Sequence, residues 1–258
     1  MLCADQDCVT IDVIKEEKAD FMRINYLHHS AVSIALEQSL LIFDHYVQKP
    51  GKRIPDGHVS MEDIRAAQRV FVFVSHSHHD HYDRSIFEWA KVGVPVTYIL
   101  DDTVPAADAP EGAVFLSRGE TFEDGYIHVR EFGSTDMGGS FYVECEGISF
   151  FHAGDLNNWH WKDDGNEKYT RVMEKYFDRE LRFLRHEVQR IDYAFFPVDK
   201  RMGRDYDEGA DQFIEVMKPK AFIPIHFVDF ADTESYRIKK TGSGTQVLAV
   251  HHNGEQLV

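Results

Sequence analysis

Apolar residues fall in short blocks along this chain, and the blocks predict strands more often than helices. Tyr26–Asp44 reads as several short strands joined by polar turns. Ser60 followed by Asp63 marks a helix start, with a hydroxyl at the cap and a carboxylate three residues on; that helix runs to about Gln68. Val70–Ser75 is a continuous apolar run with polar neighbours, which predicts a strand buried on both faces. A short helix to Lys91 and a strand at Val94–Leu100 follow. Further strands are expected at Gly125–Arg130, Phe141–Glu144 and Ile148–Phe151. Asn166–Arg190 predicts one long amphipathic helix, with Val172, Tyr176, Leu181, Leu184 and Val188 near helical spacing. The last third alternates: strand Tyr193–Phe196, helix Glu208–Met217, strand Ala221–Pro224 and a last strand Val247–Val250. Strand-rich stretches interleaved with helices predict an α/β fold, two sheets face to face with helices outside. No repeat or linker-like stretch interrupts the pattern, so residues 1–258 are expected to form a single domain.

Charge narrows the partners. There are 28 basic against 44 acidic residues, a formal net charge of −16. Such a surface repels phosphate backbones at long range and counts against a nucleic-acid partner. No run approaches the roughly 18 apolar residues of a membrane helix. The opening Met1-Leu2-Cys3-Ala4-Asp5 lacks the basic-then-apolar order of a signal peptide. Cys3, Cys8 and Cys145 cannot form a complete disulfide set; a Cys3–Cys8 pair stays open, but a reducing cytoplasm is the expectation.

The chemistry concentrates in Ser75-His76-Ser77-His78-His79-Asp80-His81, where four imidazoles and a carboxylate occupy six consecutive positions. A His-x-His-x-Asp-His match arises by composition on the order of once in two hundred such chains, so accident is a weak account of it. Directly after a buried strand, residues two apart can converge on one ion, while Asp80 and His81 turn toward a second. Imidazole with carboxylate suits Zn²⁺ best, with Mn²⁺ or Fe²⁺ as alternatives.

At these residues the chain resembles the metallo-β-lactamase fold superfamily. Phe150-Phe151-His152-Ala153-Gly154-Asp155 is similar to its strand-then-Gly-Asp motif, and Pro224-Ile225-His226 to its last strand-then-His motif. His29-Ser30 and Phe43-Asp44 are similar to its opening strands, and the branch it most resembles is that of the ascorbate-6-phosphate lactonase-like hydrolases. The resemblance implies a four-layer αββα sandwich of two mixed sheets with outer helices. It implies metal ligands at His76, His78, Asp80, His81, Asp155 and His226, with Asp155 bridging two ions and Asp80 also orienting the nucleophile. The implied activity is hydrolysis by a metal-bound hydroxide, the cation lowering the pKa of water from about 15.7 toward neutrality. The implied substrate is a small, anionic metabolite: a lactone, a cyclic ester or a phosphodiester. A nuclease of the same fold, or a metal-binding protein without turnover, is the alternative. A homo-oligomer stays open.

One departure stands out. Where the superfamily supplies a third histidine to the first ion, this chain has Phe132-Gly133-Ser134-Thr135-Asp136-Met137-Gly138-Gly139-Ser140. Asp136 or His160 could replace it, and without a replacement the first ion is expected to bind more weakly than the second. His29 is a candidate for orienting a ligand or touching substrate, as readily as for a half-buried strand-end histidine. His152 is expected to pack at a strand end. Lys200, Arg201 and Arg204 could meet an anionic substrate group, or lie in a solvated loop. Trp159 and Trp161 could wall the substrate, or cover the core.

Overall fold

The computed structural model describes residues 22–47 and 57–258; Cys3 and Cys8 lie outside the described residues. The strands in chain order are β1 Arg23–His28, β2 Ala31–Ala35, β3 Ser39–Phe43, β4 Arg69–Val74, β5 Val96–Asp101, β6 Val114–Leu116, β7 Thr121–Glu123, β8 Ile127–Gly133, β9 Gly139–Cys145, β10 Ile148–His152, β11 Tyr193–Pro197, β12 Ala221–Ile225, β13 Gln246–Val247 and β14 Glu255–Gln256. The α-helices are α1 Met61–Ala66, α2 Glu167–Glu187, α3 Glu208–Met217 and α4 Phe230–Lys239. They build two sheets, ordered β14-β1-β2-β3-β4-β5-β6 and β13-β12-β11-β10-β9-β8-β7. Each sheet is antiparallel in one half and parallel in the other: β3 to β6 run parallel, and so do β10 to β13.

Strand β4 shows why four layers form. Its side chains alternate between faces, and both faces are apolar. Phe71 and Phe73 point into the core between the sheets, against Phe141, Phe150 and Phe195. Val70, Val72 and Val74 point outward, under α1 and the 3₁₀ segment Arg84–Lys91, with Ile64, Ile86 and Trp89. The second sheet does the same with Phe151, Phe196 and Phe222 beneath α2 and α3. The result is the four-layer αββα sandwich expected from the sequence.

Two expectations shift, and one helix was not expected. On α2 the buried face is Met173, Phe177, Glu180, Leu181 and Leu184, while Val172 and Tyr176 are exposed. The expected stripe is rotated by one residue in its first half, because Phe177 joins Leu181 and Leu184 in the cluster under the helix and Met173 packs with Trp159 and Met202; Glu180, buried on the same face, is paired with Arg118 (2.7 Å) and Arg179 (2.9 Å). The strand expected at Val247–Val250 is β13, which stops at Val247, and β14 follows it; Val250 N–H donates instead to Thr233 Oγ1 on α4. Helix α4 escapes the apolar pattern because its buried face is largely polar: Asp232, Thr233 and Tyr236.

Candidate metal centre

The functional side chains gather where the strands end. Asp44 follows β3, His76 follows β4, Asp155 follows β10, Asp199 follows β11, His226 follows β12, and His29 sits in the turn between β1 and β2. Ligand sites of α/β sheets form at the carboxyl ends of parallel strands, and here two sheets present such ends to the same edge.

The His-rich loop is held by close backbone contacts. His81 N–H and Tyr82 N–H both donate to His78 O, a tight turn that aims the imidazoles inward. Gly138 lies against Ser75 O and His76 Cβ, and Gly154 against the Ser75 side chain; a Cβ at either would come within 2.1 and 2.7 Å of those atoms. Both have φ between +50° and +75°, so glycine answers to space and backbone together. His29, Asp44 and His226 also hold positive φ, unusual for non-glycine residues and concentrated here.

Asp155 stands between two groups of histidines. Its Oδ2 faces His76 Nε2 (3.5 Å), and its Oδ1 faces His81 Nε2 (3.2 Å) and His226 Nε2 (3.4 Å). His78 Nδ1 lies 2.9 Å from His76 Nε2. Two sets of donor atoms are close enough to share an ion: His76, His78 and Asp155, and beside them His29, His81 and His226. Asp80 lies next to the second set, with Oδ2 3.7 Å from His29 Nε2, and is partly exposed at the mouth. His79 points to solvent.

Buried carboxylates orient two of the imidazoles. His81 Nδ1 donates to Asp44 Oδ2 (2.8 Å), and Asp44 also accepts from Ser75 N–H and Oγ–H at 2.7 Å. His226 Nδ1 donates to Asp199 Oδ2 (3.1 Å), and Asp199 is clamped by Arg201. This is the carboxylate–histidine arrangement that fixes the tautomer of a ligating imidazole and leaves Nε2 free. Sequence reasoning passed over Asp44 and Asp199 as ligand supports. The only signal for them is an aspartate directly after each of two apolar strands.

The electrostatics favour positive charge at this point. Burial alone would push His81 down, but Asp155 and Asp44 override it and raise its pKa to about 10. Burial would raise Asp155, but His81, His226 and His76 hold it well below the usual carboxylate range. Burial, with the neighbouring imidazoles, pushes His29 down to about 3 and His76 to about 4, so both are neutral and their lone pairs available. His29 Nε2, His81 Nε2 and Asp155 Oδ1 are buried and lack a hydrogen-bond partner. An unsatisfied buried polar atom costs about 1–3 kcal/mol, so three converging on one space mark a place built for something else. Imidazole and carboxylate donors with no thiolate fit a divalent transition-metal ion.

The remaining candidates separate. Asp136 is exposed and is not among the side chains gathered at His76; its charge acts on the Tyr169 hydroxyl. Thr135 is tied to Asn157, donating to its carbonyl and accepting from its N–H. His160 is committed elsewhere, with Nε2 on Asp205 O (2.9 Å) and Nδ1 accepting from Lys162 N–H (3.3 Å). Neither suggested replacement therefore supplies the missing third donor. His152 packs as expected, stacked on Phe43 and bonded to Ser30 O. Lys200 pairs with Asp232 and Arg204 lies against Asp163, whereas Arg201 Nη2 comes within 3.3 Å of His226 Nδ1. The Trp159 ring lies 5.3 Å from that of His226, and its indole N–H donates to Asp155 O (2.8 Å). Trp161 stacks on Trp159 from outside.

Similarity to known proteins agrees with this geometry. No family model matches the chain. A protein of Opitutus terrae named UPF0173 metal-dependent hydrolase is 29% identical over 227 residues, covering 80% of this chain and 85% of its own. The structure of Igni18, a metallo hydrolase of Ignicoccus hospitalis, superposes with a TM-score of 0.63 at 15% identity, over 91% of this chain and 97% of that one. The metallo-β-lactamase fold protein YhfI of Bacillus subtilis gives 0.57 at 11% identity, over 92% and 99%. The fold is thus that of the metallo-β-lactamases. The His-x-His-x-Asp-His loop and the two later motifs, in order, make the chain similar to that superfamily in sequence as well.

Proposed function

We propose that this protein is a metal-dependent hydrolase acting on a small anionic substrate, an ester, lactone or phosphodiester. The observation that carries the proposal is the convergence of His76, His78, His81, His226 and Asp155, with unpartnered Nε2 and Oδ1 atoms aimed at one another. Zinc is the proposed ion, since imidazoles dominate the donor set. When bound, such a cation polarises the substrate and supplies a nucleophile from water at neutral pH.

The chain's own residues provide the rest. Asp80, partly exposed beside His29 and held ionised against burial by the charge of His81, is placed to accept a proton from an attacking water. Asp44 and Asp199 keep His81 and His226 in one tautomer. Trp159 covers one side and excludes water. Arg201, half-exposed beside His226, is the cation an anionic group would meet.

The test is turnover of a panel of neutral and anionic esters, lactones and phosphodiesters, before and after chelation and on return of Zn²⁺. Activity should vanish and return. R201Q should raise KM for anionic members about tenfold more than for neutral ones, the scale of one weakened charged hydrogen bond, since any loosening of Asp199 and His226 falls on both alike. Turnover that persists in excess chelator removes the proposal.

A further inference from the structure

The motif residues account for two imidazoles in each half of the centre, but a fifth histidine enters it. His29 comes from the turn between β1 and β2, well before the His-x-His-x-Asp-His loop in sequence. Its ring lies 4.3 Å from that of His226 and 5.3 Å from that of His81. One nitrogen from each of these three rings falls within 4.8 Å of the others. Nitrogens bound to one zinc at about 2.0–2.1 Å lie roughly 3.3 Å apart in a tetrahedron, so small ring rotations bring the three onto one ion.

Several features hold His29 there. Its backbone takes φ +50°, a conformation few non-glycine residues adopt. His226, facing it from the other sheet, takes φ +58°. The two are joined by a hydrogen bond from His226 N–H to His29 O (3.1 Å), which fixes one ring against the other. His29 Nε2 is buried and makes no hydrogen bond; Asp80 Oδ2, at 3.7 Å, is beyond hydrogen-bond reach. An orienting histidine would show such a bond, and a surface histidine would be solvated.

We infer that His29 is a metal ligand, giving the ion at His81 and His226 a third imidazole. This rests on the proposal that the cluster holds cations. It also rebalances the centre. The first half has lost a histidine relative to the superfamily pattern, and the second has gained one from a different strand. Three imidazoles beside a shared carboxylate favour Zn²⁺, Co²⁺ or Fe²⁺ over Mn²⁺ at that position.

The experiment is Co²⁺ titration of metal-free full-length wild type, H29Q and H29E, with affinities from competition against a chromophoric chelator and the visible bands of bound Co²⁺. Gln and Glu match in size and backbone strain and differ in donor strength. Wild type should bind two ions. H29Q should weaken one of them by more than about 100-fold, above the 10–100-fold typical of a residue that only orients a ligand. H29E should recover that ion with shifted bands, because oxygen replaces nitrogen. H29Q with both ions held within about 100-fold and an unchanged spectrum overturns the assignment and leaves the metal centre standing. Wild type that takes up no Co²⁺ overturns both. If H29Q does not fold, H29E decides alone: bands identical to wild type mean that position 29 does not touch the ion.

Discussion

The two halves of the centre are built unequally. Around His81 and His226, each imidazole is backed by a buried carboxylate, Asp44 or Asp199, and each carboxylate has further hydrogen bonds of its own. Around His76 and His78 the support is thinner: His76 Nδ1 meets the Ser75 hydroxyl at 2.9 Å, and His78 is only partly buried. The difference shows how one loop can deliver adjacent ligands to two environments. His76 and His81 are five residues apart, yet one faces a neutral hydroxyl and the other a charged carboxylate. Ligand identity is set by the loop, whereas ligand basicity is set by the strand end behind it.

Asp155 is the point common to both halves, so its loss should have the largest effect. D155A should abolish turnover to the level of buffer and lower metal content at both positions, measured by elemental analysis and a kinetic assay. One ion retained at full strength would show that the halves do not share this carboxylate. Next comes the contrast itself. H226A should empty the better-supported half and lower thermal stability in the presence of metal. H78A should remove only the weaker ion, at roughly micromolar competitor concentrations where the other is retained. If H78A instead costs more metal than H226A, the order of the halves is reversed.

Smaller effects should follow behind the ligands. D44N keeps the shape of the side chain but removes its charge, and metal affinity at the His81 half should fall about 10–100-fold with the His76 half unaffected. Calorimetric titration distinguishes this from a uniform loss. Separate from the ligands is a pH effect beneath the first half. Glu131 on β8 abuts Gly139, whose N–H donates to Ser75 O. Burial and the neighbouring Asp101 raise the Glu131 pKa from 4.5 to about 9. The folded state therefore holds a proton that the unfolded chain releases above pH 4.5. Stability from this group is full below about pH 4.5 and is lost progressively as pH rises to about 9. E131Q should flatten that part of a melting-temperature profile; an unchanged slope would mean that Glu131 is ionised in the folded protein.

Local pattern was enough for much of this molecule. The unbroken apolar run of β4 fixed its burial on both faces, and the Ser60/Asp63 spacing marked α1, where both capping hydrogen bonds form. The His-x-His-x-Asp-His loop pointed to a metal because such a site needs particular side chains at short spacing, and spacing within a loop is a property of sequence. What lies beyond that range belongs to the tertiary structure. Asp44 and Asp199 are ordinary residues near ordinary strand ends, and His29 only one candidate among many histidines, until two sheets bring those ends to one edge. Asp136 and His160 looked suitable by residue type and nearness in sequence, yet folding turned one to solvent and committed the other to Asp205 O. The buried face of α2 was likewise settled by what lies beneath it, where Phe177 and not Tyr176 meets the cluster of Phe151 and Phe196. Sequence determined which groups can bind a cation and where the chain pauses to present them. Only the packing of one sheet on the other decided which groups meet, because convergence is a distance in space between residues that the chain keeps as many as two hundred positions apart.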